Sequence, residues 1–304
     1  MVEIKQKLDD EYGRAWSFAA AYYRNENDFV DTINKIKDNP ERQTNGRANA
    51  NCANRFNDDY EDNKSWYGCD GYAAAVDLLE NGYKCDVSPI KAAYNIASAN
   101  DPAVKHTLSF AGSIPSISDY LAGRPRDMRR AVAVARKVVN VYVDCAISCG
   151  VTERQILNAN KQIAAYIGGL EKAGYSVNLF VCEFSVTEKN NLACSILKLK
   201  DAACRTNLAR YMFPLVHPAF SRVYMHLDLA FNPVFSKSHV VYGLASPITT
   251  LRSSAYKAMK AILPTNSVVF STQAIVNGQS IDFQVEQMKT AMPWKRTSGA
   301  SIPA

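Results

Sequence analysis

The stretch Val138-Val139-Asn140-Val141-Tyr142-Val143-Asp144-Cys145-Ala146-Ile147-Ser148 decides the fold: a β-branched apolar run ends in a carboxylate and, four residues on, a hydroxyl. A strand covered on both faces reads as a continuous apolar run. Behind it, 151–174 has helical periodicity, with Thr152 placed to cap the helix start. Strand, tight turn and long helix form the opening unit of an α/β protein, and open α/β sheets bind ligands outside the carboxyl ends of their strands.

Downstream of this unit, strand patterns recur at 177–184, 194–199, 222–227 and 267–271, and helical patterns at 152–173, 206–213, 247–263 and 281–291. Long crossovers between strands imply a mainly parallel sheet between two helix layers, the three-layer α/β class of Rossmann type. The strand at 194–199 follows its predecessor too closely for a helical crossover, so it is expected to be antiparallel and at an edge. Upstream, residues 1 to about 40 read as helix, with Trp16, Phe18, Tyr22 and Tyr23 as apolar surface and Asn39-Pro40 as the stop. The polar stretch 41–63 reads as a long loop, followed by helices at 72–80, closed by Asn81-Gly82, and at 87–99. The expected organisation is a helical N-terminal module at 1–100, a connector at 101–137, an α/β domain at 138–292 and a flexible tail at 293–304. No internal repeat is visible.

A chain of 304 residues that is 47% hydrophobic can bury a sizeable core. No apolar run approaches the roughly 20 residues of a membrane span, and the first ten residues are charged, which points to a cytosolic protein without membrane partners. The eight cysteines include no Cys-x-x-Cys pair, so buried thiols are expected rather than a zinc site. Cys145 and Cys149, near a helix start, are read the same way. A net charge of +6 permits an anionic partner. Its sharpest concentration is Arg124, Arg126, Arg129 and Arg130, with Arg136 and Lys137; a solvated face is the plain reading, and anion or nucleic-acid binding the alternative.

Nucleotide loops of the Gly-x-x-x-x-Gly-Lys or Gly-x-Gly-x-x-Gly type are absent from the sequence, and Ser148 lacks a Gly-x-Ser-x-Gly context. His217, between Leu215-Val216 and Pro218, reads as a hydrogen-bonded structural histidine. What remains is the strand end itself. Asp144 and Ser148 would stand at one sheet edge, with Glu183, Ser185, Asp201, Thr206 and Asp228 as companions. Carboxylate and hydroxyl oxygens in a loop suit a hard cation such as Mg2+. Read as a strand, 222–227 carries His226 with Asp228 just beyond it to the same edge, which adds a metal-dependent hydrolase using Asp144, Asp228 and His226 to the alternatives.

The succession of Asp144-x-x-x-Ser148, a long helix ending Leu170-Glu171-Lys172-Ala173-Gly174, the strand Val177-Asn178-Leu179-Phe180, an antiparallel strand and Thr206 resembles the von Willebrand factor A layout. That family's metal-dependent adhesion motif is Asp-x-Ser-x-Ser, completed by a Thr and an Asp from later loops. Asp144 and Ser148 match its first and last positions, Ala146 replaces the middle serine, and Thr206 and Asp228 match the later ligands by order. The resemblance implies ligand binding by these four residues, with Asp144, Ser148 and Thr206 as ligands of a degenerate Mg2+ site.

Ser65-Trp66-Tyr67-Gly68, Tyr120-Leu121-Ala122-Gly123-Arg124-Pro125, Val139 to Asp144 and Phe213-Pro214-Leu215-Val216-His217-Pro218 occur in an order similar to that of an uncharacterised family of tailed-bacteriophage proteins with such a core. This implies a phage protein of the host cytoplasm or the virion. Its expected role is non-catalytic protein–protein interaction or assembly, with a phage structural protein or an AAA+ ATPase as partner.

Overall fold

A computed structural model describes residues 1–10, 12–39, 68–83, 86, 88–98, 104–109, 114–123, 128–133, 137–148, 150–187, 191–204, 206–235, 254–290 and 295–298. The chain opens with a hairpin, β1 (Val2–Asp9) and β2 (Ala15–Tyr23), then α1 (Glu26–Asp38), α2 (Tyr72–Glu80) and α3 (Ser88–Ser98). There follow β3 (Val104–Ser109), β4 (Ile114–Pro115), α4 (Ile117–Leu121) and β5 (Met128–Ala133). The opening unit of the sequence analysis is β6 (Val138–Asp144) and α5 (Glu153–Lys172), followed by β7 (Ser176–Thr187), β8 (Asn191–Lys200) and α6 (Leu208–Val216). A π-helical segment, Phe220–Met225, runs into α7 (His226–Phe231); α8 (Ser254–Ile262), β9 (Ser267–Ser271), α9 (Thr272–Val276), α10 (Ile281–Thr290) and β10 (Lys295–Ser298) complete the described elements.

The protein is α/β, with a seven-stranded mixed sheet in the order β10-β1-β2-β8-β7-β6-β9. Three pairings are parallel (β2 with β8, β6 with β7, β6 with β9) and three antiparallel, so the sheet is evenly mixed rather than mainly parallel. A separate sheet has the order β3-β5-β4. On one face of the large sheet Val141, Val143, Val181 and Leu197 pack against α1, α5, the π-helical segment and α7. On the other, Phe18, Tyr142, Phe180 and Ile196 pack against Ala258, Met259 and Ile262 of α8.

Several expectations are corrected. Residues 1–24 are not helical: β1 alternates, burying Ile4, Gln6 and Leu8 while Glu3, Lys5 and Lys7 face solvent. β2 is an interior strand covered on both faces, so its Ala-rich run carries no polar alternation to separate it from a buried helix. Both strands belong to the large sheet, so 1–100 is not a helical module. β8 is antiparallel to β7 as expected, but β2 covers its other side and it is not an edge. The stretch 222–227 is helical, not a strand; every residue from Ala219 to Asn232 is buried, which erases the polar side that would have betrayed the helix. The connector 101–137 contains the small sheet, and Lys295–Ser298 of the tail pairs with β1. The loop 41–63 lies outside the described residues.

β6 fixes where a site could form. Its neighbours β7 and β9 are both parallel to it and lie on opposite sides, with α5 over one sheet face and α8, which precedes β9, over the other. The chain therefore winds away from β6 in two directions, the arrangement in which open α/β sheets place ligands outside a strand's carboxyl end.

Candidate functional site at the carboxyl edge of β6

Asp144 ends β6, and its side chain falls on the face of Tyr142 and Cys182, by strand alternation. It is fully buried, and its Oδ1 accepts the Ala146 N–H at 3.1 Å, a local turn bond that shapes the chain leaving the strand. The loop continues to Ser148, which is exposed. Its N–H donates to Gln273 Oε1 at 2.7 Å, and its carbonyl accepts from Arg222 Nη2 at 2.9 Å; the same guanidinium reaches the Val151 carbonyl at 3.3 Å. Gln273 comes from α9, directly after β9, and Arg222 from the π-helical segment, so both neighbouring elements clamp the backbone of this loop. Thr152 closes it as expected, capping α5 in a reciprocal arrangement with Gln155.

The opposite face of the sheet carries a buried polar network under the segment 219–232. Glu183 Oε2 accepts the Ser221 hydroxyl and lies 3.8 Å from Cys145 Sγ. Glu183 Oε1 lies 3.2 Å from His226 Nδ1, which is also 2.7 Å from the Ser221 carbonyl. Two residues on from His226, Asp228 accepts three bonds: from Tyr23 Oη, from Ser195 Oγ at 2.6 Å and from Asn232 Nδ2 at 2.7 Å. Burial raises the Asp228 carboxyl above the ordinary range, and the three donors hold it down in part. The Cys145 thiol is pushed well up, by burial first and then by Glu183, so it is not an activated nucleophile.

Thr206 lies elsewhere. Its hydroxyl donates to Glu171 Oε1 at 2.8 Å, beside Lys200 Nζ at 3.2 Å from the same oxygen; that lysine also donates to the Val177 carbonyl at 2.7 Å. This cluster sits at the amino end of β7, the end of the sheet away from Asp144. The four expected ligand-binding residues are thus not brought together: Asp144 and Ser148 share a loop, Asp228 is buried across the sheet, and Thr206 is at the far end. The set does not fit a magnesium ion, because the Asp144 carboxylate is sealed against Ala146, which itself offers no side-chain oxygen. Among the described residues no group of three or more His, Cys, Asp or Glu side chains is arranged to hold a metal.

His217 is structural as expected: its Nδ1 accepts the Ala219 N–H at 3.1 Å, Tyr83 packs edge-on at 4.8 Å, and burial lowers its pKa. Arg124 and Arg126 lie outside the described residues, whereas Arg129 and Arg130 stand on β5 opposite Leu108 and Thr107. In the sequence Tyr23 reads only as apolar surface and Arg222 only as the start of an expected strand, and Ser195, Ser221, Asn232 and Gln273 carry no expected role. A signal existed for part of this set: Ser221, Asp228 and Asn232 recur at seven and four residues inside an apolar stretch, one helical face.

A family model described as Domain of unknown function (DUF7192) matches residues 11–289. No curated protein and no solved structure matches the chain.

Proposed function

The chain belongs to the DUF7192 family, and we propose that it is a non-catalytic interaction protein that docks another protein through α4. The observation that carries this reading is the exposure of Ile117 at 70%, Tyr120 at 69% and Leu121 at 78%. Spaced at i, i+3 and i+4, they form one apolar face on a five-residue helix. Arg124 and Arg126 stand three and five residues beyond Leu121 in the sequence, and a net charge of +6 favours a partner that presents an apolar patch with an acidic rim. The state of the buried acids agrees: Asp144, Glu183 and Asp228 are each engaged inside the protein, and their bonds hold backbone and helices in place.

The reading includes an A-domain-like core, supported by the succession of β6, α5, parallel β7 and antiparallel β8, and the phage setting that the sequence resemblance implies. In that setting a structural protein of the particle or an AAA+ ATPase is the partner. The test is affinity capture from extracts of the source cells with the wild-type chain and with Leu121→Asp, whose melting temperature should be unchanged. A single stoichiometric protein retained by the first and lost by the second is the expected result. Equal capture by both would overturn the reading, as would a nucleic acid in place of a protein.

A further inference from the structure

A groove of about 660 Å3 runs between α1 and the end of α2, away from the edge of β6. Its apolar floor includes Val30, Leu79 and Phe213, and its rim carries Glu26, Asp31 and Glu80, with no Lys or Arg among the described lining residues. Three carboxylates thus line one groove of a chain whose net charge is +6.

A second feature reinforces it. The carboxyl end of α2, at Glu80, Asn81 and Gly82, lines the groove, and its last turn holds no basic residue to offset the negative pole of the helix. Rim carboxylates and helix end therefore act in the same direction, favouring a cation above an apolar floor.

We propose that this groove binds a cationic amphipathic segment of a partner protein, with aliphatic side chains seated on Val30, Leu79 and Phe213 and Lys or Arg side chains reaching Asp31 and Glu80. The α1 wall runs from Glu26 to Asn34, a rise of roughly 12 Å, which matches about two turns of a bound helix or four extended residues. Lysine and arginine suit such a place because their stems cover apolar surface while the charged heads stay at the wet rim. The site is separate from α4 and does not depend on the role assigned to that helix.

The experiment is fluorescence anisotropy on the full chain with a labelled Lys/Leu amphipathic peptide and a Glu/Leu counterpart of the same length. The Lys/Leu peptide should bind, weaken as salt is raised, and lose about tenfold in affinity in the double variant Asp31→Asn, Glu80→Gln, which removes both of the rim charges it reaches. Leu79→Asn should weaken it independently. A control double variant away from the groove, Glu3→Gln with Asp38→Asn, should bind as wild type does. Absence of binding, equal binding of the Glu/Leu peptide, or an equal loss in the control variant would overturn the proposal. So would sedimentation showing that the groove variants abolish self-association, since the occupant would then be a second copy of this chain.

Discussion

Asp144 and Glu183 sit on adjacent strands, in rows one residue apart, yet on opposite faces of the sheet. Asp144 pairs in register with Cys182 and shares its face, whereas Glu183 projects to the other side, where Cys145 Sγ meets its carboxylate. No single ion can be held by both. Two acids that look like neighbours in the alignment of strands are separated by the thickness of the sheet.

That separation yields a prediction about metal. Millimolar Mg2+ followed by EDTA should leave the melting temperature of the wild-type chain within about 1 °C, because a ligand that does not bind the native state cannot stabilise it. A rise of several degrees that disappears in Asp144→Ala would show that the carboxylate turns outward to bind the ion.

Asp228 joins β2, β8 and α7 through three donors, and removing it takes the acceptor from the buried Tyr23 and Ser195 hydroxyls. Asp228→Ala should cost about 3 kcal/mol or more, and Tyr23→Phe about 1 kcal/mol. Urea unfolding at constant slope measures both. A loss below about 0.5 kcal/mol for Asp228→Ala would show that the network does not secure the helix to the sheet.

Asp10 and Asp228 have opposite linkage to pH. At the β1–β2 turn, burial alone would raise Asp10, but the Arg14 N–H and guanidinium, the Tyr12 N–H and the Trp16 indole outweigh it and bring the pKa from 3.8 to about 2. Its contribution to stability is present above 3.8 and lost as pH falls through about 2. Asp228, held above its usual range, favours the fold most when protonated, and that share is lost as pH rises through its folded value. Asp10→Asn should therefore melt below wild type near neutral pH, with the two curves converging as pH approaches about 2. A gap that is constant over the acid range would refute the assignment.

Gly68 takes φ +75°, and a Cβ there would lie 2.9 Å from Pro218 Cγ. Gly68→Ala should destabilise by about 2 kcal/mol through both the left-handed backbone and the clash with the Pro218 ring. Thermal unfolding unchanged from wild type would show that the loop relaxes freely.

Among the described cysteines, Cys204 is exposed, whereas Cys145, Cys182 and Cys194 are buried with thiols shifted upward by that burial. Brief alkylation of the native protein at neutral pH, read by peptide mass spectrometry, should label Cys204 and spare the other three. Early labelling of Cys145 would mean that the carboxyl end of β6 opens to the reagent.

Much of the α/β framework was legible because its signals were local. Thr152 announces its helix, and Ser267 to Ser271 is a short apolar run bounded by hydroxyls and preceded by Asn266. The hairpin was misread because Ala19, Ala20 and Ala21 are buried whichever way they face, leaving no contrast between strand and helix. The site was misread for a different reason. Which oxygens converge depends on the pairing register, including a shift between Leu179 and Phe180, and on the segment 219–232 folding as helix rather than strand. A sequence reveals that Asp144 ends a strand; it does not reveal what lies across from it.

The parallel pairing of Ser17 through Tyr23 with Asn191 through Leu197 has a consequence for synthesis. The opening hairpin leaves the ribosome long before β8 exists, and at about 5–20 residues per second its inner strand waits on the order of ten seconds or more for its neighbour. During that interval an apolar strand has an open hydrogen-bonding side, a target for chaperones and for stray β-pairing, so yield in cells should be governed by the delay as much as by the final stability.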